Sequence, residues 1–398
     1  MRIFLLLVVA SAFITSSCSK KDSTESYDSG IMTIRIDAPD THKWYYLTKD
    51  GYAETLHPSL APRVVSKMWT DAPRLSSAAQ KDSYAFFIIN TKGLLVVDGE
   101  GNLTLKTDLK LFPEKTAGNL VMAGNNPIFH IYENTVLELE ADPESLNTQR
   151  LADIPFLAMY NTENGTFFPG PDRNSFKFAE TSEVTQVYFD GEDLFLSVKN
   201  SLEKKNDFSY YKMKMPEQLS DFILSVRNRS TSSYALEEID EDTFEKKLSP
   251  QPFAEAPERL RKLLEVIPDT FPFSVTLTGS AVENTTPRTW INNDAPDALI
   301  ETGIHTQTAN AIIEKDYIMA IFPDGTGYFS GSLPGKHIMN SGKPFCFILP
   351  QLPAGYVYGV AAISGTTLTV AWEENAFYET GKAGFILIDF GKVLYEND

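Results

Sequence analysis

The chain has 398 residues, 42% of them hydrophobic, two cysteines and a formal charge of −18. The apolar share suffices for a packed core, while the negative charge argues against nucleic acid or an anionic membrane surface as partner, since either requires a basic face. Cationic ligands or divalent metals are compatible with the charge, but an acidic balance of this kind is ordinarily a solvated surface.

The first fifteen residues, MRIFLLLVVASAFIT, place one positive charge (Arg2) before an apolar run from Ile3 to Ile14, followed by Ser16, Ser17 and Cys18. A short basic start, an apolar run too short to span a bilayer and small residues at its end define a secretory signal. A cysteine directly after small residues resembles the lipobox of bacterial lipoproteins, with Thr15 where the box usually has leucine and Ile14 one position earlier. The resemblance implies a signal peptide over 1–17, acylation of Cys18 and attachment to a bacterial envelope membrane, facing periplasm or exterior. Two or three acyl chains bury enough methylene groups for stable anchoring, where one is marginal. The following SKKDSTESYDSG has no apolar periodicity, so 18–30 reads as a flexible polar tether. No later run reaches transmembrane length.

From residue 31 onward the chain is dominated by short apolar or alternating runs bounded by turn residues. Examples are YAFFIIN (84–90), LLVVDGEGNLTL (94–105), TQVYFDGEDLFLSV (185–198), DYIMAIFPDGTGYFSG (316–331), YVYGVAAISGTTLTVAWEE (356–374) and AGFILIDFGKVLY (383–395). β-branched and aromatic residues around Asp-Gly, Asn-Gly or Ser-Gly are hairpin signals, because glycine tolerates the positive φ of a tight turn. The motif of strand, Asx-Gly turn and strand recurs around 98, 165, 191, 325, 365 and 391. In YFDGEDLFLSV, Val187, Phe189, Leu194 and Leu196 are expected on one side. About two dozen such runs exceed a single sandwich, and roughly four strands per 45–55 residues is the spacing of a β-propeller. The sequence therefore predicts a mostly β, β-propeller-like domain over 31–398 with about six to eight blades; two packed β domains are the alternative. No WD dipeptide, kelch double glycine or regular Trp period accompanies the repeat. The strand at 31–37 is expected to share a blade with the C-terminal runs and close the ring.

The charged segment 234–271 breaks the β pattern with a predicted helix over 257–267. Pro257 suits the first helical position, Glu255 and Glu258 sit near the positive end of the dipole, and Pro268 ends the helix. Leu260, Leu263, Leu264 and Ile267 form an apolar stripe, with Glu258 and Lys262 paired four apart on the exposed side.

Candidate chemistry is sparse. The five histidines (His42, His57, His130, His305, His337) show no HxH or HExxH spacing, and no metal or cofactor is expected. DGEGN (98–102) offers oxygens at alternate positions but lacks the other ligands of a calcium loop, so it reads as a turn. Ser201 and Lys204 fit the SxxK spacing of penicillin-recognising enzymes, yet they lie in a polar turn where a solvated lysine cannot activate the serine. With Cys18 acylated, Cys346 in PFCFILP has no disulfide partner and no nearby histidine, and reads as a buried thiol. Loop acids Asp172, Asp190, Asp294 and Asp324 supply material for a glycosidase pair without a geometry that selects one. TENGTFF (162–168) and PDGTGYF (323–329) approach the box of sialidase-like propellers, with Gly one place early and no Trp. Among the aromatics, most of which should fill the core, Tyr210, Tyr211 and Trp290 are the candidates for an exposed ligand-binding platform.

These residues point to a membrane-anchored envelope lipoprotein whose rigid β domain binds or scaffolds an envelope protein or glycan without catalysis, held to the membrane by its N-terminal lipid. A glycan-acting hydrolase with paired loop carboxylates is the alternative.

Overall fold

The computed structural model describes residues 31–63, 73–89, 93–107, 115–123, 126–133, 157–169, 178, 182–190, 192–201, 204, 206–214, 236–267, 273–277, 289–292, 307–333, 343–374 and 381–395. The expected signal peptide (1–17) and tether (18–30, with Cys18) lie outside the described residues.

The described chain is mostly β, and its strands form five sheets. β1 (Thr33–Arg35), β2 (His42–Thr48) and β3 (Gly51–Thr55) come first. Sheet 1 is an antiparallel meander of β4 (Leu75–Lys81), β5 (Tyr84–Ile89), β6 (Gly93–Asp98) and β7 (Leu103–Lys106). Sheet 2 repeats it with β8 (Lys115–Ala123), β9 (Asn126–Glu133), β10 (Leu157–Asn161) and β11 (Thr166–Pro169). Sheet 3 does so with β12 (Glu183–Phe189), β13 (Asp193–Lys199), β14 (Phe208–Lys214) and β15 (Glu237–Ile239). Helix α1 (Glu241–Leu248), β16 (Gln251–Pro252) and helix α2 (Glu258–Leu264) then lead to β17 (Phe273–Leu277), β18 (Thr289–Ile291), β19 (Gln307–Ile313), β20 (Tyr317–Ile321), β21 (Thr326–Gly331) and β22 (Phe345–Ile348). These strands and β1 make sheet 4, in the order β1-β22-β21-β20-β19-β17-β18-β16. Sheet 5 joins β23 (Tyr356–Ser364), β24 (Thr367–Glu374) and β25 (Ala383–Asp389) to β2 and β3, and helix α3 (Phe390–Tyr395) follows.

Both ends of the chain thus share sheets, as closure of a propeller-like ring requires. The partner differs from expectation: β1 runs parallel to β22, with Ile34 opposite Phe347. It is β2 that pairs with the C-terminal run, antiparallel to β25, with Trp44 opposite Ile386. Dividing sheet 4 at its parallel β17–β19 pair gives two strand groups, which with the other four sheets make six.

Each sheet is packed on both faces, which explains near-continuous apolar strands such as YAFFII and GLLVVD. In sheet 1, Phe87 and Leu95 face sheet 5, against Phe385 and Leu387, while Phe86 and Leu94 face sheet 2, against Leu120 and Tyr160. Sheets 2 and 3 share a core of Ile128, Met159, Val187, Leu194 and Leu196, in line with the expected facing of the last three. Sheets 4 and 5 share the core around Met319, Phe329, Phe347, Val370, Trp372 and Ile386, which α3 seals with Phe390.

Asx residues close the predicted hairpins. Asp98, Asn161, Asp190 and Asp324 each accept, through Oδ1, the backbone N–H two residues on. The turns at 98, 165, 191, 325 and 365 join successive antiparallel strands, whereas 391 lies inside α3. At 325 the turn needs glycine: φ is +89°, and a Cβ there would meet the Tyr358 ring.

An edge strand in each of four sheets carries a bulge, in β4 between Leu75 and Ser77, in β8 between Gly118 and Leu120, in β12 between Val184 and Gln186, and in β23 between Tyr358 and Ala361. Hydrogen bonds at these bulges stitch neighbouring sheets. Leu120 N donates to Ser77 Oγ at 2.9 Å, and Asn310 Nδ2 donates to Gly359 O at 2.8 Å. Gln80, on β4 and 3% exposed, ties its own sheet to sheets 4 and 5. Its Oε1 accepts from Ile363 N at 2.7 Å, and its Nε2 donates to Tyr317 Oη at 2.6 Å and Glu314 Oε1 at 2.9 Å.

The expected helix over 257–267 is α2, shorter than predicted, with Pro257 at its N-cap rather than inside it. Leu260, Leu263, Leu264 and Ile267 are buried against sheet 4, and Lys262 Nζ lies 2.6 Å from Glu258 Oε1. Helix α1 is an addition to the predicted elements, capped by Asp240 and docked by Phe244.

Candidate functional site

The residues singled out as a platform do not converge. Trp290 corrects the expectation of exposure: at 4% exposed it belongs to the core between sheet 4 and α2, because β18 lies between β16 and β17 and turns its indole inward. Tyr210 and Tyr211 are neighbours on β14 and alternate faces. Tyr211 packs on Phe178, ring centroids 5.4 Å apart, beside the core of sheets 2 and 3. Tyr210 turns to α1, its ring 5.1 Å from Phe244 and its hydroxyl donating to Glu241 Oε1 at 2.7 Å. Desolvation, then the Glu241 carboxylate that accepts its proton, push the Tyr210 phenol up to about 12.

Around Tyr210 the face of sheet 3 under α1 is braced by charge. Lys247 Nζ lies 2.6 Å from Asp190 Oδ2 and 4.9 Å from the centroid of the Phe195 ring. Asp190 Oδ1 accepts from Asp193 N at 2.9 Å and Glu192 N at 3.2 Å. Burial alone would raise this carboxyl, but Lys247 and the two backbone donors outweigh it and hold it below its ordinary value. Next to it Lys212 Nζ pairs with Asp193 Oδ2 at 2.8 Å. Sequence reasoning singled out Asp190 but missed Lys247 and Glu241, since the ion pair joins residues 57 apart in the chain.

The other acids have separate tasks. Asp98 Oδ1 and Oδ2 are occupied by Glu100 N, Asn102 N and Asn102 Nδ2, each bond 2.9 Å long, so the DGEGN segment is a closed turn. Asp324 caps its own turn, through Thr326 N at 2.8 Å. Asp172 and Asp294 lie outside the described residues. Glu373 has a carboxyl raised by burial and partly opposed by Arg74, with no carboxylate among the groups that act on it. Among the described residues no three His, Cys, Asp or Glu side chains gather as metal ligands. Lys204 forms an exposed surface pair with Asp207 at 3.8 Å, so its ammonium is a solvated surface charge of the kind that cannot activate a serine. Cys346 is half-buried and burial raises its thiol, the opposite of an activated nucleophile. His57 accepts from Ser59 N and caps a 3-10 turn over Pro58–Leu60.

The architecture defines an acidic, mostly β, propeller-like protein whose described polar groups brace turns, sheets and helices. Residues 33–392 match the family described as "Family of unknown function (DUF8086)", and the chain belongs to that family. No curated protein matches the chain. Among solved structures, the β-propeller domain of Cps50 (Swd1) from Myceliophteria thermophila is 8% identical, with 79% of this chain and 99% of that one covered and a TM-score of 0.19. Sqt1 from Saccharomyces cerevisiae is 8% identical over 90% and 95%, with a TM-score of 0.21. The C-terminal domain of gp131 from bacteriophage phiKZ is 9% identical over 74% and 77%, with a TM-score of 0.22. At these scores the likenesses carry no weight, and the fold rests on strand order and register.

Proposed function

We propose that the protein is a lipid-anchored lipoprotein of a bacterial envelope whose β domain binds an envelope protein or glycan without catalysis. One observation carries the choice of binding over hydrolysis. Asp190, a loop acid of the kind a glycosidase needs, is ionised and tied to Lys247 at 2.6 Å, with its carboxyl lowered rather than raised. A general acid requires the reverse, and a retaining or inverting pair requires a second carboxylate facing it across a sugar. The bracing of Tyr210, Asp190 and Asp193 by α1 and β14 suits a rigid face that is organised before it meets a partner. Anchoring rests on the apolar run, the small residues and Cys18 in sequence.

Cross-linking in intact envelopes, followed by purification of the chain, tests the reading together with a panel of envelope glycans as substrates. One partner recovered in stoichiometric amount, without glycan turnover, is the expected result. Turnover of any glycan without a recovered partner would establish the hydrolase instead.

A further inference from the structure

The junction of sheets 1 and 2 holds two polar groups that the described residues leave without a partner. Tyr160, on β10, is 4% exposed, and Lys106 ends β7. Among the described residues neither Tyr160 Oη nor Lys106 Nζ has a hydrogen-bond or ion-pair partner. Both reach the same point: a Cβ added to Gly165 would lie 3.3 Å from Lys106 Nζ and 3.5 Å from Tyr160 Oη. Gly165, with φ at +69°, therefore makes the β10–β11 turn and leaves the space between the two groups open. The phenol of a tyrosine buried to this degree ordinarily has a partner. Here no described residue supplies one, and the hydroxyl oxygen is not sealed from solvent, so it is open to water or to a ligand.

The rest of the junction is aromatic. Tyr160 leans on Phe86 at 6.3 Å between centroids, and Phe86 stacks on Tyr84 at 6.3 Å with planes 26° apart. Tyr84 is 45% exposed, so its ring offers a face to solvent beside the buried pair.

We propose that this junction binds the carboxylate of an acidic sugar residue between Lys106 and Tyr160, with the sugar ring against Tyr84. An ammonium and a phenol both donate, so the group between them accepts. One cation balances one negative charge, which favours a carboxylate over a doubly charged phosphate monoester. A sugar ring presents C–H groups that an exposed tyrosine covers. The inference rests on the binding reading above and names one class of ligand for it.

Titration of the full-length chain in detergent with glucuronate, glucose and acetate tests the proposal. Glucuronate should bind saturably, glucose and acetate much more weakly. Tyr160→Phe, which removes only the hydroxyl, and Lys106→Met should each weaken glucuronate binding about tenfold with unchanged melting. Tyr84→Ala should weaken glucuronate and leave the weak acetate binding as it is. Absence of glucuronate binding, equal binding of glucose, or glucuronate affinity unchanged in both Tyr160→Phe and Lys106→Met would overturn the proposal. A partner recovered by envelope cross-linking together with no glucuronate binding would sink this inference alone and leave the binding reading standing.

Discussion

Gln80 shows how one side chain holds three sheets together. Its amide satisfies Ile363 N, Tyr317 Oη and Glu314 Oε1, from strand groups that share no hydrogen-bonded ladder with β4. Gln80→Leu keeps the volume but leaves a buried N–H and a buried phenol unpaired, so it should cost about 2–4 kcal/mol with an unchanged denaturant slope. A loss too small to resolve in urea unfolding would remove Gln80 from that role. Asp190 makes a prediction in pH. Its carboxyl is lowered in the fold, so its contribution is complete above the unfolded carboxylate value of about 4 and is lost as pH falls through the lower folded value. Asp190→Asn should therefore be about 1–3 kcal/mol less stable than the natural chain near neutrality, with the two converging at acid pH. A constant gap across the acid range would show that the charge of Asp190 is not what stabilises. Gln80 does not announce itself in sequence, because it meets partners 234 to 283 positions away.

Local chemistry made several elements legible. The Asx-Gly turns were readable because their requirements, a positive φ and a side-chain oxygen for the next N–H, are met within five residues. Helix α2 was readable from its leucine spacing. Helix α1 was not, because five of the eight residues in EDTFEKKL are charged and a single Phe244 docks it. Its signals were the Asp240 cap, acids in the first turn and lysines in the last. Trp290 misled because the short TWI strand has no period that distinguishes a buried ring from a platform. The two sides of α2 should respond differently to substitution. Leu263→Ala, fully buried against sheet 4, should cost about 2–5 kcal/mol, while Lys262→Ala, which breaks the exposed pair with Glu258, should leave the unfolding midpoint where it is. Equal effects in thermal unfolding would mean that α2 is not held by its leucine face.

At the scale of the molecule, sheets 4, 5, 1, 2 and 3 pack face to face in that order, and the N-terminal strands complete sheets 4 and 5. The propeller-like class was legible from the count and spacing of the runs. The closure was legible only in outline, since the choice of β22 over the C-terminal strand for β1 depends on tertiary register. β1 begins at Thr33, fifteen residues after Cys18. The proposed anchored, binding role depends first on acylation of Cys18. Its most direct measurement is metabolic labelling of cells with a fatty acid, with the natural chain compared to Cys18→Ser. The account predicts label in the natural chain and none in the variant; equal label in both, or none in either, would contradict it.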